Sequence, residues 1–410
     1  MDTNETKKAA LNIITAAIRN SLPYENTKKL LLQLDLPQSV TVFSIGKAAI
    51  PMAQAAAQVL GDRIKTGIVV TKYGHTGDFS SPYFEVTEAA HPVSDENSIL
   101  AAEKCLAAAH ALGADDTAVV LLSGGGSALL EKSTVDPRIQ RDVTQKLLAR
   151  GADIEQINAI RKRLSLVKGG KLAAACYPAK VITIALSDVL SNAPGVIASG
   201  ITVADTTPDD FVRAVAQRYL PDAPQTVHDS LYTCAPLRIN DGGYYFAGDI
   251  NSLVEGAASA AEKEGFNALV VSRSVTGEAK DRAKEIIAEI KAAPKGTALI
   301  CGGETTVTLK GNGKGGRNQE MALAAALALD TDGSGIVFAS CGSDGTDGPT
   351  DAAGGIADGQ TCEKIKAAGL DPTAELENNN SYFALKAADC LITTGATGTN
   401  VNDITIAIKR

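Results

Sequence analysis

Lysine, arginine and aspartate fall repeatedly in this chain where an apolar run gives way to a helical pattern, and glycine usually stands beside them. In SIGKAAI, Lys47 follows one such run and opens the next helix, so its ammonium and the helix N–H groups would face the same anion. A solvated lysine in a first helical turn is the competing reading. LLSGGGSALL sets Gly124, Gly125 and Gly126 between Ser123 and Ser127. A turn of that composition can aim several N–H groups one way, a nest for phosphate or carboxylate, with the two hydroxyls as further donors. ALSDV puts Asp188 at the carboxyl end of the run VITIAL. That edge is where open parallel sheets bind ligands, and an acid there serves as general base or metal ligand. SCGSDGTDGPTD clusters Asp344, Asp347 and Asp351 after GIVFAS, oxygen donors of the kind Mg²⁺ takes.

The stretch from Cys301 to Leu327, CGGETTVTLKGNGKGGRNQEMALAAAL, holds six glycines with Lys310, Lys314 and Arg317. So many glycines imply backbone conformations or close approaches that side chains forbid, and the cations make a mobile anion-binding turn the expected use. The basic run RKRLSLVKGGKLAAAC, if helical, would bring Arg161, Lys168 and Lys171 to one side, either to hold a diphosphate or as a solvated face. His91, in AAHPVSDE before a cap at Ser94 or Asp95, reads as a packed or capping residue. The glycine spacing of LLSGGGSALL is neither GxxxxGK[ST] nor GxGxxG, which weighs against hydride transfer from a dinucleotide. Phosphoryl transfer remains favoured, because its transition state spreads negative charge over oxygens that fixed cations, N–H groups and a metal ion stabilise.

These loops must be positioned by strands, and the pattern supplies them. TVFSI, TAVVLL and KVITIAL alternate with helical stretches, the sequence form of a parallel sheet covered on both faces. Residues 205–240 carry Pro and acid clusters and lose that rhythm, so a boundary is expected there, giving domains 1–237 and 238–410. A second rhythm follows through NALVVSR, GTALICGG, TTVTLKG, GIVFAS and a closing strand NDITIAIKR. The expected fold is α/β, two Rossmann-like lobes with mainly parallel sheets facing an interdomain cleft, across which Arg317 would point towards Lys47.

With 410 residues the chain is long for one hydrophobic core. Lys and Arg number 39 against 47 Asp and Glu, a net charge of −8, which weighs against nucleic acid or an anionic membrane as the main partner. Seven cysteines, at 105, 176, 234, 301, 341, 362 and 390, show no CxxC spacing and read as buried apolar residues in a reducing compartment. The amphipathic N-terminal stretch lacks an apolar signal core, so a cytoplasmic protein is expected.

The long motifs SIGKAA, HPVSDE, SGGGSALL, IRKRLSLVKGGKLA, GGETTVTLKGNGKGGRNQE, SCGSDGTDGPTDAAGG and TGTNVND resemble, together and over the whole chain, the class II glycerate kinases (glycerate 2-kinases) with a C-terminal MOFRL domain. The resemblance implies ATP- and Mg²⁺-dependent phosphorylation of D-glycerate to 2-phosphoglycerate by a monomer or homodimer. It implies Lys47, Asp188 and Arg317 as catalytic residues, and Ser123, Gly124, Gly125, Gly126, Ser127, Glu304 and Asn318 as substrate or nucleotide ligands. Asp188, Asp344 and Asp347 would hold the metal. Some relatives carry the older label hydroxypyruvate reductase, which makes an NAD(P)H-dependent reductase the alternative. A related hydroxy-acid kinase and a silent metabolite sensor complete the alternatives. The family usually reads SDVxGD then IASGPTxPD, whereas this chain reads SDVLSNAPGVIASGITVAD. One acid and two prolines are missing from the loop expected to contact metal or acceptor.

Overall fold

The computed structural model describes residues 3–232, 237–330 and 335–410, so the expectation for Cys234 lies outside the described residues. The other six cysteines are free and buried, as their apolar surroundings suggested.

Among the described residues, twelve strands form two six-stranded sheets. The first comprises β1 (Val40–Ile45), β2 (Ile64–Lys72), β3 (Glu85–Ala89), β4 (Thr117–Leu122), β5 (Lys180–Leu186) and β6 (Asn240–Gly248), in the order β3-β2-β1-β4-β5-β6. Pairings β2–β3, β1–β2, β1–β4 and β4–β5 are parallel; helices cross between the strands in all but β2–β3, which is joined by the helix-free segment 73–84. β1 and β4 are buried at every position, the signature of strands covered on both faces.

The second sheet comprises β7 (Asn267–Val275), β8 (Thr297–Gly303), β9 (Ile336–Gly342), β10 (Gly354–Asp358), β11 (Leu391–Ile392) and β12 (Asp403–Lys409), in the order β11-β10-β9-β12-β8-β7. The expectation of parallel strands fails for most of it. Only β7–β8 is parallel, whereas β8–β12, β12–β9, β9–β10 and β10–β11 are antiparallel. β9 returns as β10 through a loop without a helix, and a strand that reverses without a crossover can pair only antiparallel. The final strand lies between β8 and β9 instead of at an edge. TTVTLKG, expected as a strand, makes one isolated bridge, Thr306 with Glu278.

The chain folds as two compact units that run differently from a single boundary at residue 237. One contains Pro23–Leu186 and Asn192–Ala247; the other contains Met1–Leu22, Ser187–Ser191 and Gly248–Arg410. The Pro- and acid-rich stretch after residue 205 belongs wholly to the former. Its helix Asp209–Tyr219 buries Val212, Val215, Ala216 and Tyr219, spaced along one face, against Ile157, Ile160 and Leu164 of the helix Ile154–Leu164. In the latter unit the first helix, Thr3–Asn20, buries Ala10, Ile13, Ile14 and Ala17 and packs on the helix Ile250–Lys263 and on β9 and β12. The opposite layer is led by helices Ala279–Ala292 and Arg317–Leu329, whose Ile287, Met321 and Ala325 share a core with Leu299, Phe338 and Ala407.

Candidate active site

Strand direction builds the pocket of the second sheet's unit. β12 runs antiparallel to β8 and β9, and its first residue, Asp403, pairs with their last, Gly303 and Gly342. The residues that follow those strands, Glu304 and Ser343 with Asp344, therefore emerge beside Asp403. Arg317 stands at the first position of its helix, and the short segment Ser187–Ser191 of this unit brings Asp188. Together with Asn400 and Asn402 they line a cavity of about 110 Å³. Pockets that bury a drug-sized ligand start near ~300 Å³, so this one suits a small polar group.

Four predicted residues, Asp188, Glu304, Arg317 and Asp344, thus share one pocket. Arg317 is the organiser: Nε and Nη2 donate to Asp403 at 2.5 and 2.9 Å, and Nη1 lies 3.0 Å from Glu304 Oε1. Burial alone would lower its pKa, but the Asp403 hydrogen bond outweighs that, and the guanidinium is held charged more firmly than usual. Asn402, at φ +69°, donates through Nδ2 to the Asp188 carbonyl at 2.9 Å and to Glu304 Oε2 at 3.2 Å, locking two pocket loops together. Asp403, Asn402 and Asn400 were not singled out from sequence. The TGTNVND motif, polar residues just before an apolar strand, was the available signal.

Two expected site residues do different work. Asp347 does not line the pocket; its buried carboxylate accepts from the N–H groups of Asn318 and Gln319, at 3.1 and 2.8 Å, and from both side-chain amides. It serves the N-terminus of the Arg317 helix, where exposed N–H groups need acceptors. Burial pushes its pKa up to about 6 against the pull of those donors. Asn318 is buried beneath the pocket between Asp347 and Ser340 Oγ, too deep to meet a ligand directly. Among the described residues no three His, Cys, Asp or Glu converge as a ready metal cluster. Asp188 and Asp344 line the pocket as hard oxygen donors, and that donor chemistry fits Mg²⁺.

The GNGKGG turn is clasped, not an open nest. Asn379 Oδ1 accepts from the N–H groups of Lys310 and Gly311, Asn378 Oδ1 from Asn312, and Asn380 Oδ1 from Lys314. Asn379 Nδ2 in turn donates to buried Glu320 at 3.2 Å. The glycines permit this contact: a Cβ on Gly316 would lie 2.3 Å from Asp347 Cγ, and one on Gly313 2.5 Å from the Asn378 carbonyl oxygen.

In the first sheet's unit, parallel β1 and β4 end side by side and their loops are stitched together. Lys47 N–H donates to the Gly124 carbonyl at 2.9 Å, and Ala48 N–H to Ser123 Oγ at 3.0 Å. The Lys47 side chain is exposed, and Gly125, at φ +88°, opens the short helix Gly126–Leu129. Among the described residues the N–H groups of Gly124 and Gly125 meet no acceptor, whereas Ser127 Oγ is paired with Ser199 Oγ at 2.8 Å. Arg161 Nη2 reaches the Ser127 carbonyl at 3.5 Å.

The basic run is neither one helix nor a solvated face. The helix ends at Leu164 and a new one starts at Lys171, and between them Lys168 is fully buried against Glu131. Lys171 Nζ donates to the carbonyls of Lys162, Arg163 and Ser165 at the preceding helix end. Asp95, with Ser98, caps the helix Glu96–His110, so His91 does not; its ring instead lies against Gly125 and Lys47.

Comparison with known proteins bears on the same residues. Residues 7–232 match a family described as a domain of unknown function, DUF4147, and residues 297–403 match the MOFRL family. The chain is 42% identical to a D-glycerate 2-kinase of Thermotoga maritima, over 99% of each chain. It is 40% identical to a putative hydroxypyruvate reductase of Agrobacterium vitis, over 88% of this chain and 85% of that one. A crystal structure of a glycerate kinase from Thermotoga maritima superposes with a TM-score of 0.95 at 42% identity, covering 99% of this chain and 100% of that one. With a DUF4147 region followed by a MOFRL region and full-length similarity to these enzymes, the chain belongs to the glycerate kinase family that carries a MOFRL domain.

Proposed function

We propose that this protein transfers the γ-phosphoryl group of ATP to the 2-hydroxyl of D-glycerate, giving ADP and 2-phosphoglycerate. The observation that carries the reading is the pocket in which Arg317, anchored by Asp403 and Glu304, sits with Asp188 and Asp344. In the reaction the acceptor oxygen bonds to the γ-phosphorus as the bond to the β–γ bridging oxygen breaks. Asp188 takes the hydroxyl proton, and Arg317 stabilises charge on the transferring oxygens or holds the substrate carboxylate. Lys47 and the open N–H groups of Gly124 and Gly125 supply positive potential for a second anionic group. Asp188 and Asp344 would hold Mg²⁺, which when bound neutralises phosphate charge.

Incubation with ATP, Mg²⁺ and D-glycerate, followed by ³¹P NMR, tests the proposal. A 2-phosphoglycerate resonance growing with ADP is expected; no ADP above the glycerate-free control sinks it. A dominant product from tartronate in a parallel reaction would move the assignment to another hydroxy acid. The name of the Agrobacterium vitis relative supports a second reading, reduction of hydroxypyruvate by NADH or NADPH, which predicts loss of absorbance at the nicotinamide band. No helix among the described residues is long and apolar enough to cross a membrane. Work in the cytoplasm as a monomer or homodimer belongs to the proposal, and light scattering reads the latter.

A further inference from the structure

HPVSDE has no part in the reaction outlined above, yet its histidine occupies the glycine corner of the first sheet's unit. A carbon added to Gly125 would lie 3.1 Å from His91 Cδ2, 3.3 Å from His91 Nε2 and 3.2 Å from Lys47 Cγ. One point that touches both side chains places imidazole and lysine stem on the same side of the loop. Among the described residues neither the His91 ring nor the Lys47 ammonium has a hydrogen-bond or ion-pair partner. The charged and titratable groups facing His91 are Lys47, Lys72 and His75, with no carboxylate among them. The stretch carrying His91 is fixed from behind, because Asp95 accepts from Ala90 N–H, Ser98 N–H and the Tyr73 hydroxyl. A half-buried, unpartnered imidazole is thus set beside an unpartnered cation and two open N–H groups, a set of donors that suits a negatively charged oxygen.

We propose that His91 touches the anionic ligand of this corner, donating one ring N–H to an oxygen of the phosphate or carboxylate whose charge Lys47 balances. Burial first, and then the Lys47 charge, hold its pKa below the usual histidine value, so at neutral pH the ring donates without adding a third repelling charge. The proposal rests on the kinase reading for the identity of the ligand alone.

Three full-length variants test it: His91→Ala, His91→Phe, which keeps ring packing on Gly125 without a donor, and His91→Gln, which keeps an N–H near the Nε2 position. In calorimetric titration with inorganic pyrophosphate, Ala and Phe should each bind at least about tenfold more weakly than wild type, and Gln within about threefold. In turnover with ATP and D-glycerate, Ala and Phe should raise one substrate's KM about tenfold and leave the other within twofold. A shift in the ATP value identifies a nucleotide phosphate as the ligand, and one in the glycerate value its carboxylate. Wild-type affinity and KM values in the Phe variant would reduce His91 to packing and overturn the proposal, as would wild type failing to bind pyrophosphate with both KM values unmoved in all three. A wild type that forms no ADP but binds pyrophosphate through His91 would sink the kinase reading and keep this site.

Discussion

Arg317 presents two parallel N–H groups to both oxygens of Asp403, at 2.5 and 2.9 Å, from the first position of its helix. A bidentate pair of this kind fixes the plane of the guanidinium as well as its charge. The third nitrogen, on Glu304, leaves the cation braced on two sides and aimed along the pocket wall.

Replacing Arg317 by lysine should therefore lower kcat at least about tenfold, since a point charge cannot span both Asp403 oxygens. Arg317→Ala and Lys47→Ala should each do at least as much, by removing a charge aimed at the transition state. Steady-state ADP formation reads all three, and near-normal turnover in both alanine variants would mean the cations are misassigned.

Chelation with EDTA should abolish turnover and added Mg²⁺ restore it. Asp188→Asn should raise the Mg²⁺ concentration for half-maximal rate at least about tenfold, because an amide is a poorer ligand than a carboxylate. Asp347→Asn should leave that requirement within twofold, its carboxylate being spent on N–H donors. A magnesium titration of each variant separates the two acids.

Asp347 also predicts a pH signature. Its pKa is pushed up to about 6 from 3.8, so between those values the folded protein binds a proton that the unfolded chain releases. Stability contributed by this group is present below that window and falls as pH rises through it, by up to about 3 kcal/mol for a shift of this size. The cost of Asp347→Asn in urea unfolding should accordingly shrink from pH 4.5 to pH 7.5; a cost that grows instead would reverse the assignment.

Asn379→Ala should free the glycine turn ahead of Arg317. It removes the acceptor of two backbone N–H groups and the donor to buried Glu320, and leaving that buried carboxylate without its partner costs about 1–3 kcal/mol. New proteolytic cleavage between residues 308 and 316, with a lower kcat, is the expected result. Unchanged resistance to protease would show that Asn378 and Asn380 hold the turn without it.

Lys168→Met alone should destabilise the first sheet's unit by about 3–5 kcal/mol, because Glu131 would stay buried without its cation. Adding Glu131→Leu should recover most of the loss. Urea unfolding of the single and double variants measures the difference; a double variant as unstable as the single would show that the pair contributes more than mutual neutralisation.

Local pattern carried the first sheet well. Strands β1, β4 and β5 announced themselves as continuous apolar runs, and Lys47, the triple glycine and Asp188 follow their ends as expected. Arg317 was likewise readable from the junction of glycine loop and helix. What escaped depends on partners far along the chain. Nothing near Lys168 signals that Glu131 neutralises it, and nothing in GNGKGG signals that Asn378, Asn379 and Asn380 bind its backbone. Asp347 and Asp344 sit in one loop with similar neighbours, and only the return of the chain decides which faces the pocket and which faces a helix end. The antiparallel second sheet was missed for a related reason: apolar runs reveal that a strand is buried, not which way its neighbour points.

The unit that holds Arg317 is assembled from three separate pieces of sequence, and that has a bearing on biosynthesis. Its first helix leaves the ribosome more than two hundred residues before the helix and strands that cover Ile13 and Ile14. Until then an apolar stripe waits without its partners, the circumstance in which nascent chains aggregate or recruit chaperones. Because β12 follows β8 and β9 in the sequence and lies between them in the sheet, Asp403 reaches Arg317 only after all three strands have been made. A chain stopped at residue 400 would lack Asn402 and Asp403 and with them the completed candidate pocket.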